Sequence, residues 1–145
     1  MRANSKFFFV KEGDLIISGQ FAWEGSVSIA EQTEEGCVIS HRFHIINGMP
    51  NHINSEYLWA LFTSDLGDFL LNQCSVGSAG RNRPLNINLL MKEKIPVPSL
   101  KVQERIKEIV QKEKEIKEKI KRLNILFEEY KKSLIHHVVT GKVDV

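Results

Sequence analysis

The feature that most constrains this chain is an apolar rhythm over its last third. Val102, Ile106, Ile109, Glu113, Ile116, Ile120, Leu123, Phe127, Tyr130, Leu134 and His137 follow alternating steps of four and three residues. That spacing places them on one stripe of a helix and forms a heptad seam. Only Glu113 and His137 break its apolar character, and no glycine or proline interrupts it before Gly141. At 1.5 Å per residue the seam predicts a helix of about 54 Å. Its flanks, "QKEKEIKEKIKR", mix both signs of charge, as the outer faces of a paired helix do. A single helix cannot bury its seam against itself. The other strong helical segment, residues 55–74 ("SEYLWALFTSDLGDFLLNQC"), reads as interrupted at Gly67, so the partner is expected from a second chain. A charge at Glu113 lowers the stability of such a seam while fixing register or oligomer state, unless a cation faces it.

"IPVPSL", residues 95–100, marks the start of this helix. Pro96 and Pro98 alternate with apolar residues and enforce an extended backbone, after which Ser99 is a suitable N-cap. The chain is therefore divided into residues 1–98 and 99–145. The closing "KSLIHHVVTGKVDV" reads as a helix end. His136 and His137 sit near terminal carbonyls, Gly141 supplies the backbone freedom of a C-terminus, and Lys142 adds positive charge there. Thr140-Gly141-Lys142 has no glycine loop before it and is not a phosphate-binding motif.

The first part reads as strands with turn residues between them, at residues 14–19 ("DLIISG"), 26–32 ("SVSIAEQ") and 36–48 ("GCVISHRFHIING"). With the helical segment they give an α+β class: a small mixed β-sheet domain with a helix, followed by one long C-terminal coiled-coil α-helix. Charge divides along the same line. Residues 1–100 carry 8 Lys/Arg against 10 Asp/Glu, and residues 101–145 carry 12 against 8. The basic half is the helical one, where a solvated helix surface explains the charge better than a polyanion site does. Cys37 and Cys74 stand far apart with no CxxC, which indicates neither a zinc site nor a disulfide framework and fits a reducing cytoplasm. No apolar stretch reaches the roughly 18 residues needed to span a bilayer.

The loop "GSAGRNRP" holds Gly77, Gly80, Arg81, Asn82 and Arg83. It lacks the Gly-Lys-Ser/Thr of a phosphate loop. Two arginines and an asparagine nevertheless suit nucleic acid, since arginine forks onto phosphate or guanine and asparagine onto adenine. His41 and His44 stand three apart on one strand segment, which sends them to opposite faces and argues against joint metal ligation. No Ser/His/Asp or Cys/His arrangement has local support, so no catalytic residue, metal or cofactor is assigned. Trp23 in "FAWEGSV" reads as a core-anchoring turn.

Four motifs in order carry a resemblance. "GDLIISGQFAWEGSVSI", "GCVISHRFHI", "RPLNINLLMKEKIPVPSLKVQERI" and "EYKKSLIHHVVTGKVDV" resemble the specificity (S) subunit of Type I restriction-modification systems. Here Ser99 replaces a proline of the junction, and Gln103-Glu104 stands for Glu-Gln in reversed order. The resemblance implies a non-catalytic subunit whose target recognition domain reads DNA. Its helix would pair as a coiled coil, set the distance between half-sites and dock methyltransferase (M) subunits, in a complex that also holds restriction (R) subunits. One helix and the distal part of one recognition domain imply half a subunit: a split or truncated product, or a half subunit that restores two-fold symmetry by homodimerising. On this basis Arg42, Arg81, Asn82 and Arg83 are expected to face DNA, Arg42 because it lies beside the same polar strand. The rival expectation is a coiled-coil interaction protein that pairs with S or M subunits and reads no DNA.

Overall fold

Strand-forming residues sort into two small sheets. In a computed structural model, which describes residues 7–77 and 82–141, β1 (Phe7–Phe9) pairs with β4 (Val38–Ser40), and β2 (Leu15–Ser18) lies between β3 (Val27–Ile29) and β5 (Phe43–Ile46). All these pairings are antiparallel. Short 3-10 turns at Ala22–Glu24 and Gln32–Glu34 connect them. The helices α1 (Ser55–Phe62), α2 (Asp65–Cys74), α3 (Ile87–Leu90) and α4 (Leu100–Val139) follow. The α+β class and the long terminal helix stand as expected, with the sheet divided in two and antiparallel throughout the described strands.

The expected strand at residues 36–48 is two strands in different sheets. The break falls at a turn in which the Ser40 hydroxyl accepts the Arg42 N–H at 3.4 Å, and pairing with β1 on one side and β2 on the other takes the two halves into different sheets. His41 and Arg42 form that turn, so His41 does not share a strand with His44. The deepest strand is β2, where Leu15 and Ile17 are fully buried and begin a core with Ala22, Ile29, Leu58, Phe62, Leu70, Leu71 and Cys74.

Gly67 does not interrupt the helical segment. The break falls at Thr63 and Ser64, where the Ser64 hydroxyl accepts the Gly67 N–H at 3.4 Å as an N-cap, and Asp65 and Asp68 complement the dipole of the first turn of α2. Gly67 itself is where α2 passes the end of α1. A Cβ there would lie 2.2 Å from Leu61 O and 2.3 Å from Phe62 Cα. Gly67→Ala should therefore force two backbones apart, destabilising the domain by about 3 kcal/mol. Thermal unfolding should fall by more than about 10 °C; a change under about 2 °C would mean that the helices cross elsewhere.

Two compact units divide the chain, Met1–Lys107 and Glu108–Val145. The first takes in the opening turns of α4, held by side chains at the proline junction. Gln103, fully buried, accepts the Asn54 N–H on Oε1 (3.0 Å) and donates from Nε2 to His52 O (2.8 Å) and Pro98 O (2.9 Å). Tyr57 Oη donates to Pro96 O, and Lys107 Nζ lies 2.9 Å from Glu56 Oε1. The hydrogen bond that Lys107 donates to Glu56, together with the carboxylate's negative charge, raises the Lys107 pKa. An extended proline segment offers carbonyls that no ladder satisfies, so side chains must.

Within the second unit the seam is bare. Ile116, Ile120, Leu123, Phe127 and Tyr130 each expose half or more of their surface. Glu113 Oε1 sits 2.6 Å from Lys117 Nζ one turn on, so its cation comes from its own helix. The helix ends as the sequence indicates: Gly141 adopts φ +64°, and Thr140 Oγ1 donates back to His136 O at 2.7 Å. Lys142 lies outside the described residues.

Candidate nucleic-acid interface

Gly19 gathers the polar segments singled out in the sequence. Its N–H donates to Arg42 O at 2.7 Å, and its own carbonyl accepts the Leu85 N–H at 2.7 Å. The turn carrying Arg42 and the returning limb of the loop after α2 thus flank one residue at the end of β2. Sequence separation hides this neighbourhood, because Arg42 and Leu85 meet only through β2. Arg42 and Asn82 are exposed. Arg81 and Gly80 lie outside the described residues.

Arg83 is differently placed. It is half-buried, its Nε donating to Ser75 O (3.3 Å) and its Nη2 to Asn72 O (3.0 Å), with Cζ 5.3 Å from the centre of the Trp23 ring. Trp23 lies in the 3-10 turn expected at "FAWEGSV", but the residue of that turn that enters the core is Ala22, while Trp23 is half-buried outside it. Asn72 Nδ2 donates to the Trp23 carbonyl at 3.3 Å. Neither Asn72 nor Gly19 carries a signal in the sequence that marks it as an organiser of this edge.

Elsewhere on this unit the chemistry is less suited to a polyanion. A cleft of about 660 Å³ is lined by Glu12, Asp14, Glu56 and Glu104, with Lys11 as its one cation among the described lining residues. A second cavity, about 340 Å³, is lined by Phe8, His41, Phe43, His44, Ile45 and Ile87. Burial lowers the His44 pKa below the ordinary imidazole value. The unfolded chain then binds the proton more readily than the fold, so stability falls as pH drops through the unfolded-state value near 6.5. Denaturant titrations at pH 7 and pH 5 should show that loss, and His44→Gln should reduce it; an unchanged pH dependence would exonerate His44. Cys74 is buried, which raises its thiol pKa, so it is poorly placed as a nucleophile. Among the described residues no cluster of three or more His, Cys, Asp or Glu side chains could hold a metal, and no helix is long and apolar enough to cross a membrane.

The seam residues Val102, Ile106, Ile109, Ile116, Ile120, Leu123, Phe127, Tyr130 and Leu134 all lie on α4 as expected. Exposed apolar side chains off the seam, Ile125, Ile135 and Val139, were not singled out by the heptad reading, which tracks one stripe only.

Residues 3–126 match the family model of the Type I restriction modification DNA specificity domain. The crystal structure of the HsdS subunit from Thermoanaerobacter tengcongensis is similar, with a TM-score of 0.62 at 22% identity, over 93% of this chain and 34% of that one. At that identity the likeness concerns the fold, and the chain spans about a third of the length of that subunit. No curated protein sequence matches the chain.

Proposed function

The chain belongs to the family of Type I restriction modification DNA specificity domains, and on that premise we propose that it is a non-catalytic DNA-recognition component of such a system, acting in the cytoplasm. The observation that carries this reading is the edge centred on Gly19, where the Arg42 turn and the limb that follows Asn82 are hydrogen-bonded to one residue. Arg42 and Arg81 would contact phosphate or guanine, and Asn82 a base edge. The bare seam of α4 supports homodimerisation, which would present two recognition units to a DNA site of two similar parts with a spacer. The off-seam residues Ile125, Ile135 and Val139 are then available to methyltransferase subunits, with restriction subunits joining the assembled complex.

A gel-shift assay with duplex DNA, with and without a methyltransferase subunit, tests the reading. A shift that requires the methyltransferase subunit and weakens in Arg42→Ala/Arg81→Ala supports it. That double variant should lower the slope of log K against log salt by about 1.8, or 0.9 per phosphate contact. The acidic cleft and the excess of carboxylates before Leu100 favour the second reading, a coiled-coil protein that pairs with S or M subunits without reading DNA. Complex formation with no shift in any combination would select it.

A further inference from the structure

We propose that Arg83 is a positioning residue that clamps the recognition loop through Trp23 and does not itself touch DNA. The inference rests on the DNA-reading proposal above and reassigns one of the arginines expected to face the duplex. Three observations carry it. First, one of the two edges by which a guanidinium forks onto a phosphate or a guanine, Nε with Nη2, is already spent on Ser75 O and Asn72 O. Those carbonyls belong to the C-terminal end of α2, where Asn72 O also accepts the Ser75 N–H at 3.3 Å, so Arg83 adds its donors to the helix cap. Second, one face of the guanidinium lies over Trp23, whose indole Nε1 donates to Gln20 O at 3.1 Å and is thereby fixed in orientation. Third, the clamp sits at the neck of the loop. Ser75 and Leu85 form a bridge, Asn86 N donates to Cys74 O at 2.9 Å, and a Cβ on Gly77 would lie 1.8 Å from Asn82 O. The two limbs are therefore closed at successive levels below Asn82.

The chemistry explains why arginine serves here. A planar fork can satisfy two carbonyls while its central carbon lies over an indole, which a lysine ammonium cannot reproduce. Holding the neck fixes the limb that follows Asn82 against Gly19, whose N–H bonds the Arg42 turn. Arg83 then governs which base sequence is preferred, and the phosphate contacts are left to other residues.

Two measurements on the full chain test this. In hydrogen exchange, Arg83→Gln and Arg83→Lys should each speed exchange of the Leu85 and Asn86 amides about tenfold or more, while β2 and β5 amides keep their protection. The Lys variant retains the charge, so normal protection in it would overturn the clamp, as would unchanged exchange in the Gln variant. In complex with a methyltransferase subunit, binding to a randomised duplex pool should lose sequence preference in both variants at an unchanged salt slope. A slope lowered by about 0.9 would mean that Arg83 meets a phosphate, and would overturn the proposal. Loosened amides in a protein that binds no duplex in any form would keep the clamp as a structural device and sink the DNA reading instead.

Discussion

Ile120→Asp/Phe127→Asp is expected to turn a dimer of this chain into a monomer. Both residues lie on the seam and expose half or more of their surface in the single chain, 51% and 70% respectively. Burying an apolar side chain of that size contributes about 1.5–3 kcal/mol, and a homodimer loses each contribution twice. Two carboxylates per chain in an apolar seam add desolvation and mutual repulsion. The dissociation constant should rise at least about 1,000-fold, which corresponds to roughly 4 kcal/mol. Sedimentation equilibrium reads the change directly. Ile125→Asp, off the seam, should leave the dimer intact. Glu113→Leu should tighten it, because it removes the one charged residue from the central seam. A wild-type chain that is monomeric at tens of micromolar, or a double variant that remains dimeric, would remove the seam from the proposed function.

Gln103→Ala should be the most damaging polar substitution in the first unit. The truncation leaves the Asn54 N–H and the carbonyls of His52 and Pro98 without their partner, in a place where Gln103 itself has no exposed surface. Each buried orphan costs about 1–3 kcal/mol, and the three are neighbours that can relax together, so a total of about 3–4 kcal/mol is expected. For a unit of this size that lowers the unfolding midpoint by more than about 12 °C. Gln103→Glu separates packing from hydrogen bonding. It keeps the shape and the acceptor for Asn54 but faces two carbonyls with an oxygen, and it should destabilise nearly as much. Restoration of wild-type stability by Glu would show that packing alone decides the site.

The helix was legible in detail. Its seam, its start after Ser99 and its end at Gly141 all follow from local spacing, proline chemistry and the glycine C-terminus, and the α+β class follows from the patterning before it. The candidate site was legible only as a set of residue types. Arg42, Asn82 and Arg83 were visible as donors, but Asn82 and Arg83 adjoin in sequence while one is exposed and the other lies against Trp23. Which of two neighbouring side chains is free depends on the limbs of a loop closing beneath them, and donor chemistry alone cannot distinguish them.

Gly67 and Gln103 show the same division from the structural side. A glycine within an apolar helical run signals a break when only propensity is weighed, whereas α1 crosses so closely that no Cβ fits. Gln103, a polar residue beside the seam, reads as solvated until the chain returns His52 and Asn54 to it, with Asn54 49 residues away along the sequence. The sequence by itself determined the elements whose encoding is periodic and short in range: the long helix, its apolar stripe, its two ends and the strand-rich region before it. Tertiary structure alone decided the split of residues 36–48 between two sheets, the close crossing at Gly67, the buried amide of Gln103 and the stacking of Arg83. Each of those depends on backbone groups brought together from distant positions, and one side chain's spacing carries no record of them.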